Sequence, residues 1–273
     1  MNDEGCFLDT TLLAEALLKA QAKRLKARLK IREYKRSVLP VYAIKEFKAG
    51  ALKNYIWLHN RIVDTQSLSR TIDAIHNAFH RPYLRGTAEE ALEFATEMLV
   101  GSDLSKADTR EKTQQALADS LRYHLRRQID TAWRERRKLT TEVVDELSCY
   151  AEAAHSYNEG THYIDSDRQE CDLSDECCLV QKLRGRRGDL RKLIKAISGS
   201  SRFEDENRRK ALNRLLKRPI KSFGEKSCKA LGDAYFALQC PKDCVILTSN
   251  AKDHQVLAGA LKKKVVRYSS KET

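Results

Sequence analysis

The tightest constraint on this chain lies near its end. Residues 244–247 (Cys-Val-Ile-Leu) form a short apolar run, closed by Pro241-Lys-Asp on one side and Thr248-Ser-Asn on the other. Such a run, bounded by turn residues, is the pattern of a strand buried on both faces. A strand of that kind needs a covered sheet, so the chain is expected to be α/β. In the helix predicted before it, Cys228, Leu231, Tyr235 and Leu238 recur at helical spacing and mark a packed face. Asp233 lies off that stripe. Thr248, Ser249 and Asn250 follow the strand directly, where open α/β sheets place their ligands, and Asp253 stands just beyond. An acid beside a buried strand end is a candidate metal site.

The N-terminus supplies the other half. Cys6-Phe-Leu-Asp-Thr10 reads as a short strand ending in an acid, with a helix starting at once and Thr10 or Thr11 as its cap. Val38-Leu-Pro-Val-Tyr-Ala43 reads as a second strand leading into a helix over 44–52 that carries Glu46. Three acids, Asp9, Glu46 and Asp233, therefore lie at or near a strand-to-helix junction or on a helix beside one. Each also has a plain structural reading: Asp9 as a helix cap, Glu46 and Asp233 as solvated helix residues.

Four pieces, Phe7-Leu-Asp-Thr-Thr11, Tyr42-Ala-Ile-Lys-Glu46, Leu231-Gly-Asp-Ala-Tyr-Phe-Ala237 and Ile246-Leu-Thr-Ser-Asn-Ala-Lys-Asp253, resemble the PIN-domain nuclease family in content and order. The resemblance covers the two ends of the chain. It implies a PIN-like three-layer α/β/α fold with a mostly parallel central sheet, and phosphodiester cleavage, chiefly of RNA, with Mg²⁺ or Mn²⁺ as cofactor. Carried over residue by residue, it makes Asp9, Glu46, Asp233, Asn250 and Asp253 the candidate catalytic residues. Asp9, Glu46, Asp233 and Asp253 are the candidate metal ligands. In the last loop, neutral Asn250 is expected as the nearer contact, with Asp253 behind it. The chemistry is consistent: Mg²⁺ is a hard cation that takes oxygen ligands, and clustered carboxylates repel one another unless a cation holds them.

The departure from the family is the long middle. The expected division is a nuclease domain from 1–58 and 220–273, with an all-helical insertion over 59–219. Thr87-Ala-Glu-Glu90 and Asp108-Thr-Arg-Glu111 are capping boxes that open two of its helices. A further helix is expected from Thr140 or Thr141 through Val143, Val144 and Leu147. Residues 165–176 superficially match a calcium loop, but Glu170 stands where glycine is needed. Cys149, His155, His162, Cys171, Cys177 and Cys178 contain no Cys-x-x-Cys pair of the zinc type.

Charge narrows the partners. Lys and Arg number 51 against 38 Asp and Glu, a net charge of +13. That balance favours polyanions. RNA is the expected partner, with DNA the alternative and a protein partner or second copy also open. The residues expected to meet phosphate are Lys23, Arg24 and Arg28 in a basic helical run over 10–36, and Arg208, Arg209 and Arg214 on a helix over 203–217. Tyr123 and Trp133 offer faces on which bases could stack. No run of apolar residues is long enough to span a membrane, and the acidic Met-Asn-Asp-Glu start has no apolar signal core. A cytoplasmic chain with reduced cysteines is the expectation. A catalytically silent binding scaffold on the same fold is the rival to a nuclease.

Overall fold

The computed structural model describes residues 4–77, 86, 110–144, 155–164, 177–217 and 224–269. Among them, one sheet organises the molecule. It has five strands in the order β3-β2-β1-β6-β7, and every pairing is parallel. The strands are β1 (Gly5–Leu8), β2 (Ser37–Pro40), β3 (Glu142–Val144), β6 (Cys244–Thr248) and β7 (Val265–Arg267). β1, β2 and β6 are buried along their whole lengths, so both faces of the sheet are covered, as in a three-layer α/β/α arrangement. Parallel strands need crossovers, and helices supply them.

The first crossover is α1 (Thr10–Leu18) and α2 (Gln21–Arg32), with Lys19 and Ala20 extended between them. The single helix expected over 10–36 is thus two. α2 packs back onto the domain through its buried Ala27 and Ile31. β2 stops at Pro40, which caps α3 (Val41–Phe47), so this helix starts earlier than its apolar pattern suggests. A π-helical turn over Lys48–Leu52 leads into α4 (Lys53–Thr65), and Gln66, in the left-handed region at φ 49°, breaks the chain before α5 (Leu68–Asn77).

The middle of the chain is not all-helical. After the long α6 (Arg110–Glu135) and a 3₁₀ turn, residues 142–144 form β3 on the edge of the main sheet. Here the apolar spacing of Val143 and Val144 suggests a helix, but a tertiary clamp decides otherwise. The Thr141 hydroxyl donates to the Ser37 carbonyl at 2.9 Å, and the Ser37 hydroxyl donates to the Leu139 carbonyl at 2.9 Å. A strand beside an existing edge satisfies its backbone there. An antiparallel hairpin, β4 (His155–Asn158) and β5 (Thr161–Ile164), adds two more strands, and Asn60 on α4 grips it through the His162 main chain. The capping boxes at Thr87 and Asp108 and the calcium-like stretch lie outside the described residues, as do Cys149 and Cys171.

Three short helices follow, α7 (Cys178–Arg184), α8 (Arg187–Ile197) and α9 (Phe203–Leu216). α10 (Gly224–Gln239) then runs down to β6, and α11 (Ala251–Ala260) connects β6 to β7. Among the described residues no cysteine is in a disulfide, and Cys6, Cys240 and Cys244 are buried. Among the described residues no helix is long and apolar enough to cross a membrane.

Candidate metal centre at the carboxyl edge of the sheet

The strand order places the site. β1 pairs with β2 on one side and β6 on the other, so the chain winds outward from β1 in two directions. The carboxyl ends of β1 and β6 therefore border a topological switch point, where the following segments diverge and leave a crevice. Leu8 and Leu247 are in register, so Asp9 and Thr248 emerge together.

Asp9 is 4 % exposed and acts as the N-cap of α1. Its Oδ2 accepts hydrogen bonds from the Thr11 hydroxyl at 2.5 Å and the Thr248 hydroxyl at 2.7 Å. Its Oδ1 faces His254 Nε2 at 3.3 Å. Burial alone would raise the Asp9 pKa, but the hydrogen bond and charge of His254, with the two hydroxyls, hold it below the usual value. The reverse holds for His254: burial opposes its charge, Asp9 favours it, and the balance is raised. The cap of α1 is thus Asp9 rather than either threonine.

Glu46 reaches the same crevice from α3. Thr10 donates to its Oε2 at 2.8 Å and the Tyr42 hydroxyl to its Oε1 at 2.8 Å. Even so its pKa is pushed up to about 7, first by burial and next by the charge of Asp233, with Asp9 contributing. Asp233 arrives on α10. Gly232 beside it has a packing reason to be glycine: a Cβ there would overlap the Tyr42 hydroxyl and ring. The Leu-Gly-Asp sequence therefore lets Tyr42 pass under α10 to Glu46. Burial also raises Asp233, and this outweighs the lowering by Arg208.

Arg208 sits where sequence reasoning does not put it. It is 5 % exposed, on the inner face of α9 with Asp205, Leu212 and Leu215. Its Nε donates to Asp233 Oδ2 at 2.9 Å, its Nη2 reaches the same oxygen, and its Nη1 donates to Asp205 Oδ1 at 2.8 Å. It is a buried counter-ion, which corrects its assignment to a phosphate-contacting surface. Arg209 is half-buried and Arg214 exposed on the same helix. On α2, Arg24 donates to Gln128 at 2.8 Å, and Arg28 donates to Glu135 at 2.6 Å and to the Ala16 carbonyl. These two tie α2 to α6; Lys23 is half-buried beside them. Tyr123 is exposed, whereas Trp133 is partly buried under the guanidinium of Arg136.

Asn250 caps α11, and its amide donates to Asp253 Oδ2. Asp253 Oδ1 is also held by Arg202 Nη2 at 2.5 Å. The loop pair is thus joined to itself and to α9. Sequence reasoning missed His254, Arg202 and Asp205. His254 had a signal, since Ala251, His254, Leu257 and Ala258 form the inward stripe of α11.

The donor chemistry fits a hard divalent cation: Asp9, Glu46 and Asp233 offer carboxylate oxygens from three elements, and their charges penalise one another at Glu46. In the arrangement as it stands, no three Asp, Glu, His or Cys side chains among the described residues converge closely enough to hold an ion. Comparison with protein-family models, with curated proteins and with solved structures gives no match, so the reading of this site rests on its sequence and geometry.

Proposed function

We propose that this chain is a divalent-metal-dependent ribonuclease of PIN-like fold. One observation carries the reading: Asp9, Glu46 and Asp233 come from separate elements to the switch point of a parallel sheet, linked through Thr10, Tyr42 and Gly232. Mg²⁺ or Mn²⁺, when bound, supplies Lewis-acid neutralisation of a phosphate and makes water a stronger nucleophile near neutral pH. The protein's part is to gather oxygen donors and fix their orientation. The Thr11 and Thr248 hydroxyls and His254 orient Asp9; Thr10 and Tyr42 orient Glu46; Arg208 orients Asp233. The net charge of +13 favours a polyanionic substrate, with Arg209 and Arg214 at the surface to meet its backbone.

The test is cleavage of end-labelled RNA and DNA of matched sequence, with Mg²⁺, Mn²⁺ or chelator. Metal-dependent cutting of RNA that disappears in Asp9→Asn, with circular dichroism unchanged, is the expected result. Cutting of DNA alone would move the substrate class. A silent RNA- or partner-binding scaffold is the second reading. It is favoured by His254 and Arg208, which already counter the charges of Asp9 and Asp233. Tight RNA binding without cleavage in any metal would select it.

A further inference from the structure

The guanidinium of Arg208 is bracketed by carboxylates. Asp205, 2 % exposed in its side chain and anchored by the Ser200 hydroxyl at 2.6 Å, orients it from behind. Its other edge meets Asp233 Oδ2 through two nitrogens. Nη2 also lies 3.9 Å from Asp253 Oδ1. A second guanidinium, Arg202, closes on Asp253 from the start of α9. α9 therefore presents two cations to acids that sequence reasoning assigned to a metal.

We propose that Arg208 is a positioning residue that competes with the divalent cation for Asp233, so that the ion loads only as the guanidinium yields that carboxylate. The inference rests on the metal-dependent reading above. Its physical basis is that one oxygen cannot give its best lone-pair directions to two cations at once. When binding requires a minor arrangement, apparent affinity falls by the fraction of molecules in that arrangement. Asp205 makes the device economical, because the guanidinium keeps a buried partner after releasing Asp233 and is never left uncompensated.

The experiment is a Mn²⁺ titration of the full chain, following free Mn²⁺ by electron paramagnetic resonance. Three proteins are compared: wild type, Arg208→Lys, and the double variant Asp205→Asn with Arg208→Gln. The double variant removes one charge of each sign and retains amide hydrogen bonding between the two positions. It is expected to bind Mn²⁺ about tenfold more tightly than wild type, equivalent to the Arg208–Asp233 pairing being favoured about ten to one over its released form in the metal-free wild type. Arg208→Lys, which keeps the charge but loses the two-nitrogen grip, is expected to fall between them. It keeps the test decisive if the double variant fails to fold. Asp9→Asn serves as the control that binding is at this site. Equal or weaker Mn²⁺ binding in both Arg208 variants, with clear binding by wild type, overturns the competition and leaves the metal reading intact. No binding by any protein overturns both.

Discussion

Asp9 and Asp233 are two acids at one crevice, the first buried and the second half-buried, and they are held in opposite ways. The partners of Asp9 are two hydroxyls and an imidazole, all from the ends of β1 and β6 and the helices that leave them. Asp233 instead relies on a guanidinium from α9, a helix from the long middle of the chain. Asp9 is lowered below the ordinary carboxylate value and Asp233 is raised above it. At Asp9 the hydrogen bond and charge of His254, followed by the two hydroxyls, outweigh the cost of burying the carboxylate. At Asp233 the ion pair to Arg208 does not outweigh it: Arg208 is shared with Asp205, and the charge of Asp253 adds to the raising.

The sharpest way to break this contrast is Arg208→Ala. It strands Asp205 and Asp233, and should cost about 3–5 kcal/mol in urea denaturation. A loss below about 1 kcal/mol, the scale of an exposed pair, would mean that Asp233 does not depend on α9. Next comes pH. The folded pKa of Glu46, about 7, lies above its ordinary 4.5, so the folded state holds this proton more tightly than the unfolded chain. The resulting penalty is absent below the lower value and complete above the higher one. Metal-free protein should therefore lose stability as pH rises across that window, by at most about 3 kcal/mol and less as water screens this half-buried group. Glu46→Gln should flatten that part of the profile; an unchanged slope would place the proton elsewhere. Added Mg²⁺ should flatten it too.

Gly232→Ala probes the bridge between the two poles. Its methyl group would overlap Tyr42, and overpacking of this kind costs about 1–3 kcal/mol. The Tyr42 hydrogen bond to Glu46 should be lost with it, visible as a changed Glu46 titration. The smallest effect is expected at the Asp9 pole. Thr248→Val removes one hydroxyl of several, for about 1 kcal/mol. His254 works with the same pH sign as Glu46, although its proton adds a charge where that of Glu46 removes one. Its folded pKa is raised, so its stabilisation is full below its ordinary 6.5 and fades as pH rises through the folded value. His254→Gln should remove that dependence, as read from denaturation midpoints across the range.

Much of the sheet could be read in advance because buried parallel strands announce themselves locally. The apolar runs ending in Asp9 and Thr248 needed no partner to be recognised, and β1 and β6 stand where those runs are. β3 could not be found this way. Val143 and Val144 also suit a helix, and only the Ser37 and Thr141 clamp with the open edge of β2 selects a strand. The site divides along the same line. Asp9 stands out at a strand end, and Glu46 and Asp233 on helices that follow or precede a strand, all properties of neighbouring residues. The position of Arg208 is invisible in its neighbours, because Glu206, Arg209 and Lys210 are charged as well. Of its acidic partners, Asp205 is three residues away but Asp233 is 25. Residue order sets which backbone segments can be strands or helices and where acids follow them, because those preferences act within a few residues. Only the packed structure decides which charges are drawn inside and against what, because desolvation and pairing depend on elements that meet in space.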